Sequence, residues 1–162
     1  PKYGVPIPPH GGPDTSGRAA ASAIQPSLAG YRAGGNDMAR VLVIDDDELF
    51  RDYLATELRR AGYWVRELAD GRELPQLLAQ DAYDALITDL MMPQVNGALC
   101  IRLARAMVPD LPVIAVTGAA AGDLPPEAAD AASLNAAAVL AKPVDPRALL
   151  DLLERVIAAR GR

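Results

Sequence analysis

The stretch Ala85-Leu86-Ile87-Thr88-Asp89-Leu90-Met91-Met92-Pro93 decides the fold. An apolar run ends in one carboxylate and a turn follows at once, the pattern of a short strand buried on both faces. Asp89 then stands at the carboxyl end of that strand, where open parallel sheets place their ligands. Three further apolar runs end in chemistry that matches. Val41–Ile44 leads into Asp45-Asp46-Asp47, Val113–Val116 into Thr117-Gly118, and Val139–Ala141 into Lys142-Pro143. If these strands are parallel neighbours, their ends gather carboxylates, a hydroxyl and an ammonium around one small space.

The segments between the runs read as helices. Strands are expected at about 40–45, 63–67, 85–89, 112–117 and 138–141. Helices are expected at about 48–61 and 71–80, from Gly97 onward, at about 126–135, and from Asp145 to about 159. Leu49, Tyr53 or Leu54, Leu58 and Ala61 are expected inward on the first helix. Leu74, Leu77 and Leu78 take that place on the second, and Leu99, Leu103 and Ala106 on the third. Gly62 supplies a stop, while Asp145 and Pro146 suit a cap and a first helical position. Strands alternating with helices at this spacing give an α/β, doubly wound parallel sheet with right-handed connections and helices on both faces.

Composition narrows the chemistry. The chain has 162 residues and a net charge of −5, so no nucleic-acid-binding surface is indicated. No apolar run is long enough to span a membrane, and the start does not read as a signal peptide. A single cysteine, Cys100, fits a reducing, cytoplasmic setting, and it reads as a buried or half-buried helix residue. A single histidine, His10, argues against a His-based metal site. Residues 1–37 are rich in Pro and Gly without helical or strand period, and are expected to be a disordered N-terminal extension or a tag, with the folded domain over 38–162.

Three carboxylates converge if the first and third strands are neighbours: Asp45, Asp46 and Asp89. They repel unless a hard divalent cation joins them, and oxygen-only ligands point to Mg²⁺ over Zn²⁺. One carboxylate can then act as nucleophile on phosphorus, giving an aspartyl phosphate. Lys142 supplies positive charge and Thr117 a donor for the transferring group. Asp47 reads as a helix-start residue.

From Arg40 to Arg160 the chain resembles the receiver domain of bacterial two-component response regulators. The resemblance is carried by the acidic pair in VLVIDDDE, the aspartate in ALITDLMMP, the threonine in VIAVTG and the lysine in AKPV. It implies a flavodoxin-like (βα)5 fold with strand order 2-1-3-4-5. It implies that Asp89 accepts phosphate from a sensor histidine kinase or a phosphotransfer protein, stoichiometrically and not as an enzyme, and that the domain signals through altered contacts with a downstream protein partner. Asp46 would ligate Mg²⁺ directly, Asp45 mainly through a water, and Met91 by its backbone carbonyl. Thr117 and Lys142 would bind the phosphoryl group, and the Lys142–Pro143 bond would be cis.

The chain departs from that family where receivers often carry an aromatic residue on the fifth strand, since Val139 stands there, and Val144 follows the Lys-Pro pair. Signalling is therefore expected through the fourth helix or the Gly118–Gly122 loop before it. Neither Met91 nor Ala119 can orient a hydrolytic water, which predicts slow self-dephosphorylation. Leu149, Leu150, Leu152, Leu153, Val156 and Ile157 make a set wider than one buried stripe. They suggest a partner or homodimer contact on the side formed by helix four, strand five and helix five. With no effector segment after the fifth helix, the domain would act by presenting a surface or by passing phosphate on, as in a phosphorelay or a hybrid kinase. Rival readings are a haloacid-dehalogenase-like phosphatase, a pseudo-receiver and a flavin-binding protein. The first would need an acidic pair after Lys142, and the last a hydroxyl- and glycine-rich loop where the three aspartates stand.

Overall fold

The computed structural model describes residues 38–118 and 126–161. The Pro-rich stretch 1–37 and most of the expected hinge, including Ala119 and Gly122, lie outside the described residues. Each apolar run forms a strand: β1 (Arg40–Ile44), β2 (Trp64–Leu68), β3 (Ala85–Asp89), β4 (Val113–Thr117) and β5 (Ala138–Ala141). Between and after them run α1 (Glu48–Arg60), α2 (Leu74–Gln80), α3 (Gly97–Met107), α4 (Pro126–Ser133) and α5 (Pro146–Arg160). All pairings are parallel and the order is β2-β1-β3-β4-β5, the doubly wound arrangement expected from the sequence.

β1, β3 and β4 are buried along their whole length, as strands covered by helices on both faces must be. Alternation along each strand divides the apolar residues between two cores. Leu42, Ile44, Leu86, Val113 and Ala115 pack with Leu74 and Leu78 of α2, Cys100, Ile101 and Ala104 of α3, and Ala131 of α4. Val41, Val43, Ala85, Ile87, Ile114 and Val116 pack with Leu54, Ala55 and Leu58 of α1 and Leu149 and Leu153 of α5. Asp45 continues the series 41, 43, and Asp89 the series 85, 87, so both belong to the α1/α5 side. Thr117 continues 113, 115 and belongs to the α2–α4 side.

The helix ends follow local chemistry. Asp47 caps α1 by accepting from the Phe50 N–H at 3.1 Å, Asn96 caps α3 by accepting from Leu99, and Asp145 caps α5 by accepting from Arg147. Gly62 turns the chain after α1 with φ +92°, a conformation that favours glycine.

Several inward assignments shift. Leu49 and Tyr53 are exposed, and Ala61 caps the helix end in solvent; the buried face of α1 is Leu54, Ala55 and Leu58. On α3 the buried face is Cys100, Ile101 and Ala104, while Leu99 and Ala106 are exposed and Leu103 is half-buried. Ala55 shares the buried face of α1 with Leu54 and Leu58, and Ala104 shares that of α3 with Cys100 and Ile101. Strand β2 begins at Trp64, and the expected second helix opens with a 3₁₀ turn at Gly71–Glu73. The apolar excess of α5 is half-buried: Leu150, Leu152, Val156 and Ile157 pack against the α1/α5 core.

Arg160 closes the lower edge of the sheet. Its Nη1 donates to the Tyr83 carbonyl at 2.6 Å, and its Nε donates to Asp110 at 3.2 Å. This ties the end of α5 to the turns entering β3 and β4. We expect Arg160→Ala to lower the unfolding free energy by about 1–2 kcal/mol, read from a urea titration.

Candidate functional site

Register alone brings the strand ends together. Ile44 pairs with Thr88, Asp89 with Val116, and Thr117 with Ala141. The next residue of each chain therefore opens onto the same rim. Carboxylate oxygens of Asp45, Asp46 and Asp89 lie within 4.8 Å of one another, with Asp45 and Asp89 buried and Asp46 exposed. Lys142 enters from the end of β5, where its N–H donates to the Thr117 carbonyl at 2.8 Å. Its Nζ lies 2.7 Å from Asp45 Oδ2 and 3.3 Å from Asp89 Oδ2. The Lys142–Pro143 peptide is cis.

Backbone donors complete the two buried carboxylates. Asp45 Oδ1 accepts from the Asp47 N–H at 2.9 Å, and Asp89 Oδ1 from the Met91 N–H at 3.0 Å. The Met91 peptide is therefore drawn beside the Asp89 carboxylate while its side chain is exposed. Burial pushes the Asp45 carboxyl up from its ordinary value; the bonds from Lys142 and Asp47 oppose this and the charge of Asp89 adds to it. For Lys142, burial works against the ammonium, yet Asp45 and Asp89 outweigh it and hold its pKa above the ordinary value. Two buried carboxylates about 5 Å apart repel by roughly 3 kcal/mol at an effective dielectric constant near 20. One ammonium against three carboxylates leaves an excess of negative charge. The donors are all oxygen, so the residues fit a hard divalent cation.

The sequence-named residues thus meet at one rim: Asp45, Asp46, Asp89, Met91, Thr117 and Lys142. Thr117 is buried at the end of β4. Val139 is half-buried in β5 against the α2–α4 core, and Val144 is buried in the α1/α5 core. Contacts of three supporting residues escaped the sequence reading. Arg51 Nη1 donates to the Asp45 carbonyl at 2.7 Å, and Arg51 also pairs with Glu67 at 3.8 Å. The Phe50 ring lies 4.2 Å from Lys142 Nζ. Gly97 has no room for a side chain: a Cβ there would strike the Asp89 carbonyl oxygen and come within 2.8 Å of Leu90 Cα. The presence of a glycine at the start of α3 was legible, but its packing against the backbone of β3 was not.

A family model described as the response regulator receiver domain matches residues 41–154. The chain belongs to that family. The receiver is 34% identical over 122 residues to the response regulator receiver protein CpdR of Brucella abortus, covering 75% of this chain and 99% of that protein. It is 41% identical over 78 residues to the response regulator MprA of Mycolicibacterium vanbaalenii, covering 48% of this chain and 34% of that longer protein. Among solved structures, it matches the chemotaxis protein CheY4 of Vibrio cholerae with TM-score 0.66 and 30% identity, over 74% of this chain and 98% of that one. It matches a CheY-like receiver domain of Methanospirillum hungatei with TM-score 0.70 and 25% identity, over 76% of this chain and 97% of that one. No helix among the described residues is long and apolar enough to cross a membrane.

Two outcomes test how the receiver holds this site. Gly97→Ala must push the β3–α3 turn off the Asp89 backbone and should cost about 1–3 kcal/mol of stability, measured by urea unfolding. Cys100 is fully buried, and burial pushes its thiol up to about 11. It should therefore resist a thiol-reactive disulfide reagent at pH 8 in the native protein and react at once in denaturant.

Proposed function

We propose that this receiver is a stoichiometric phosphoacceptor that takes a phosphoryl group on Asp89 from the phosphohistidine of a sensor histidine kinase or a phosphotransfer protein. The observation that carries this reading is the Asp45–Lys142–Asp89 cluster at the strand ends, with both carboxylates buried, Lys142 half-buried and Asp46 beside them. An Asp89 oxygen attacks phosphorus, the P–N bond to the donor imidazole breaks, and the imidazole nitrogen keeps the electron pair and takes up a proton. The product is an acyl phosphate on Asp89.

Asp45, Asp46, Asp89 and the backbone carbonyl of Met91 would hold Mg²⁺. When bound, the ion supplies positive charge to the transferring oxygens and relieves the repulsion among the carboxylates. Lys142 pairs with a phosphoryl oxygen in place of the Asp89 oxygen it now faces. Thr117 donates its hydroxyl to another oxygen. Because Thr117 belongs to the α2–α4 side of the sheet, its movement is read out there, through α4 and the half-buried Val139, as altered contact with a downstream protein or a second copy. The Met91 side chain offers nothing to orient a hydrolytic water, so the acyl phosphate should be long-lived. This reading places the chemistry in the cytoplasm, in keeping with a single, buried cysteine, Cys100.

The test is intact mass after incubation with acetyl phosphate. We expect one phosphoryl adduct on the wild type, abolished by chelation of Mg²⁺ and absent from Asp89→Asn. Continuous release of phosphate from small phosphomonoesters without an adduct would overturn the reading in favour of a phosphatase. A protein donor should dock across the first turn of α1, where Leu49 is 83% exposed and Tyr53 is exposed one turn on. Leu49→Asp should therefore slow transfer from a phosphorylated protein donor about tenfold or more while leaving the rate with acetyl phosphate within about twofold.

A further inference from the structure

We propose that Phe50 is a positioning residue for Lys142, its ring holding the ammonium between Asp45 and Asp89 by a cation–π contact. Lysine is a compact charge on a flexible four-carbon stem, so its place in a cluster must be imposed by its surroundings. Here Nζ lies 2.7 Å from Asp45, 3.3 Å from Asp89 and 4.2 Å from the centroid of the Phe50 ring. The carboxylates pull along two directions and the ring face closes a third. A ring attracts the cation without accepting a conventional hydrogen bond, so it holds Nζ while leaving its N–H groups for oxygen partners.

Phe50 is itself held. Its N–H is tied to the Asp47 cap at 3.1 Å, and its side chain packs against the α1/α5 core. The next residue, Arg51, fixes the Asp45 carbonyl at 2.7 Å. One turn of α1 thus grips both ends of the shortest ion pair in the site, Asp45 through Arg51 and Lys142 through Phe50. The chain has one phenylalanine, and it stands here. The consequence for transfer, though not the contact itself, rests on the phosphoacceptor reading above.

The sequence makes the test unusually clean, because Lys2 and Lys142 are the chain's two lysines. Lysine-selective isotope labelling of the full chain gives one Lys142 signal set with Lys2 as internal reference. We expect the Lys142 Hε protons to be shifted upfield of those of Lys2 by the Phe50 ring. The shift should vanish in Phe50→Leu and persist in Phe50→Tyr. Absence of an upfield shift in the wild type, or its survival in Phe50→Leu, overturns the contact. In parallel, the rate of adduct formation with acetyl phosphate and Mg²⁺ should fall about three- to tenfold in Phe50→Leu and stay within about twofold in Phe50→Tyr. Equal slowing in both variants would reduce Phe50 to a packing residue, and no slowing in Phe50→Leu would remove its positioning role. If the wild type forms no adduct, the phosphoacceptor reading fails, and the lysine signals still decide whether Phe50 holds Lys142.

Discussion

The ammonium of Lys142 lies between two buried carboxylates, and the arrangement of the strand ends depends on that placement. Asp45 and Asp89 come from adjacent strands and would drive those ends apart if left unpaired at this depth. Lys142 arrives from the far edge of the sheet, carried by β5, and bonds both. It spans the neighbouring β1 and β3 with a charge from a strand that pairs with neither. The compensation is incomplete: burial still pushes the Asp45 carboxyl up, and the exposed Asp46 adds further negative charge. The rim therefore keeps an excess of negative charge, which favours a cation.

The sheet also divides the rim residues by parity. Asp45 and Asp89 fall in the series that packs on α1 and α5, and so do Phe50 and Val144. Thr117 falls in the opposite series, with the residues that pack on α2, α3 and α4. The two sets meet at the rim because every strand ends at the same level. Thr117 therefore lies on the opposite face of the sheet from Asp45 and Asp89, the carboxylates that bond Lys142. Gly97 lets the start of α3 lie directly on the backbone at the end of β3.

The site was legible where its residues follow directly from strand ends, because a polar residue after a buried run has one place to go. That is why Asp45, Asp46, Asp89, Thr117 and Lys142 could be named from the chain. The helix faces were less legible. The sequence placed Leu49, Tyr53 or Leu54, Leu58 and Ala61 inward on α1 and Leu99 inward on α3; Leu54 and Leu58 are buried, but Leu49, Tyr53 and Leu99 are exposed, and Ala55, Cys100 and Ala104 take buried places that were not named. On α5 the set wider than one stripe divides into buried Leu149 and Leu153 and half-buried Leu150, Leu152, Val156 and Ile157, because a helix lying beside another on one face of the sheet is covered over more than a single stripe.

The sequence by itself determined the strand and helix alternation, the parallel doubly wound sheet and the identity of the rim residues. Those depend on period, on the stops supplied by Gly and Pro, and on where an apolar run gives way to charge, all of which are local. The tertiary structure alone decided the rest. That Lys142 lies closer to Asp45 than to Asp89, that Phe50 faces its ammonium, that Arg51 fixes the Asp45 carbonyl and that Gly97 admits no side chain are contacts between separate elements. They are set by register and helix rotation, which no local pattern encodes.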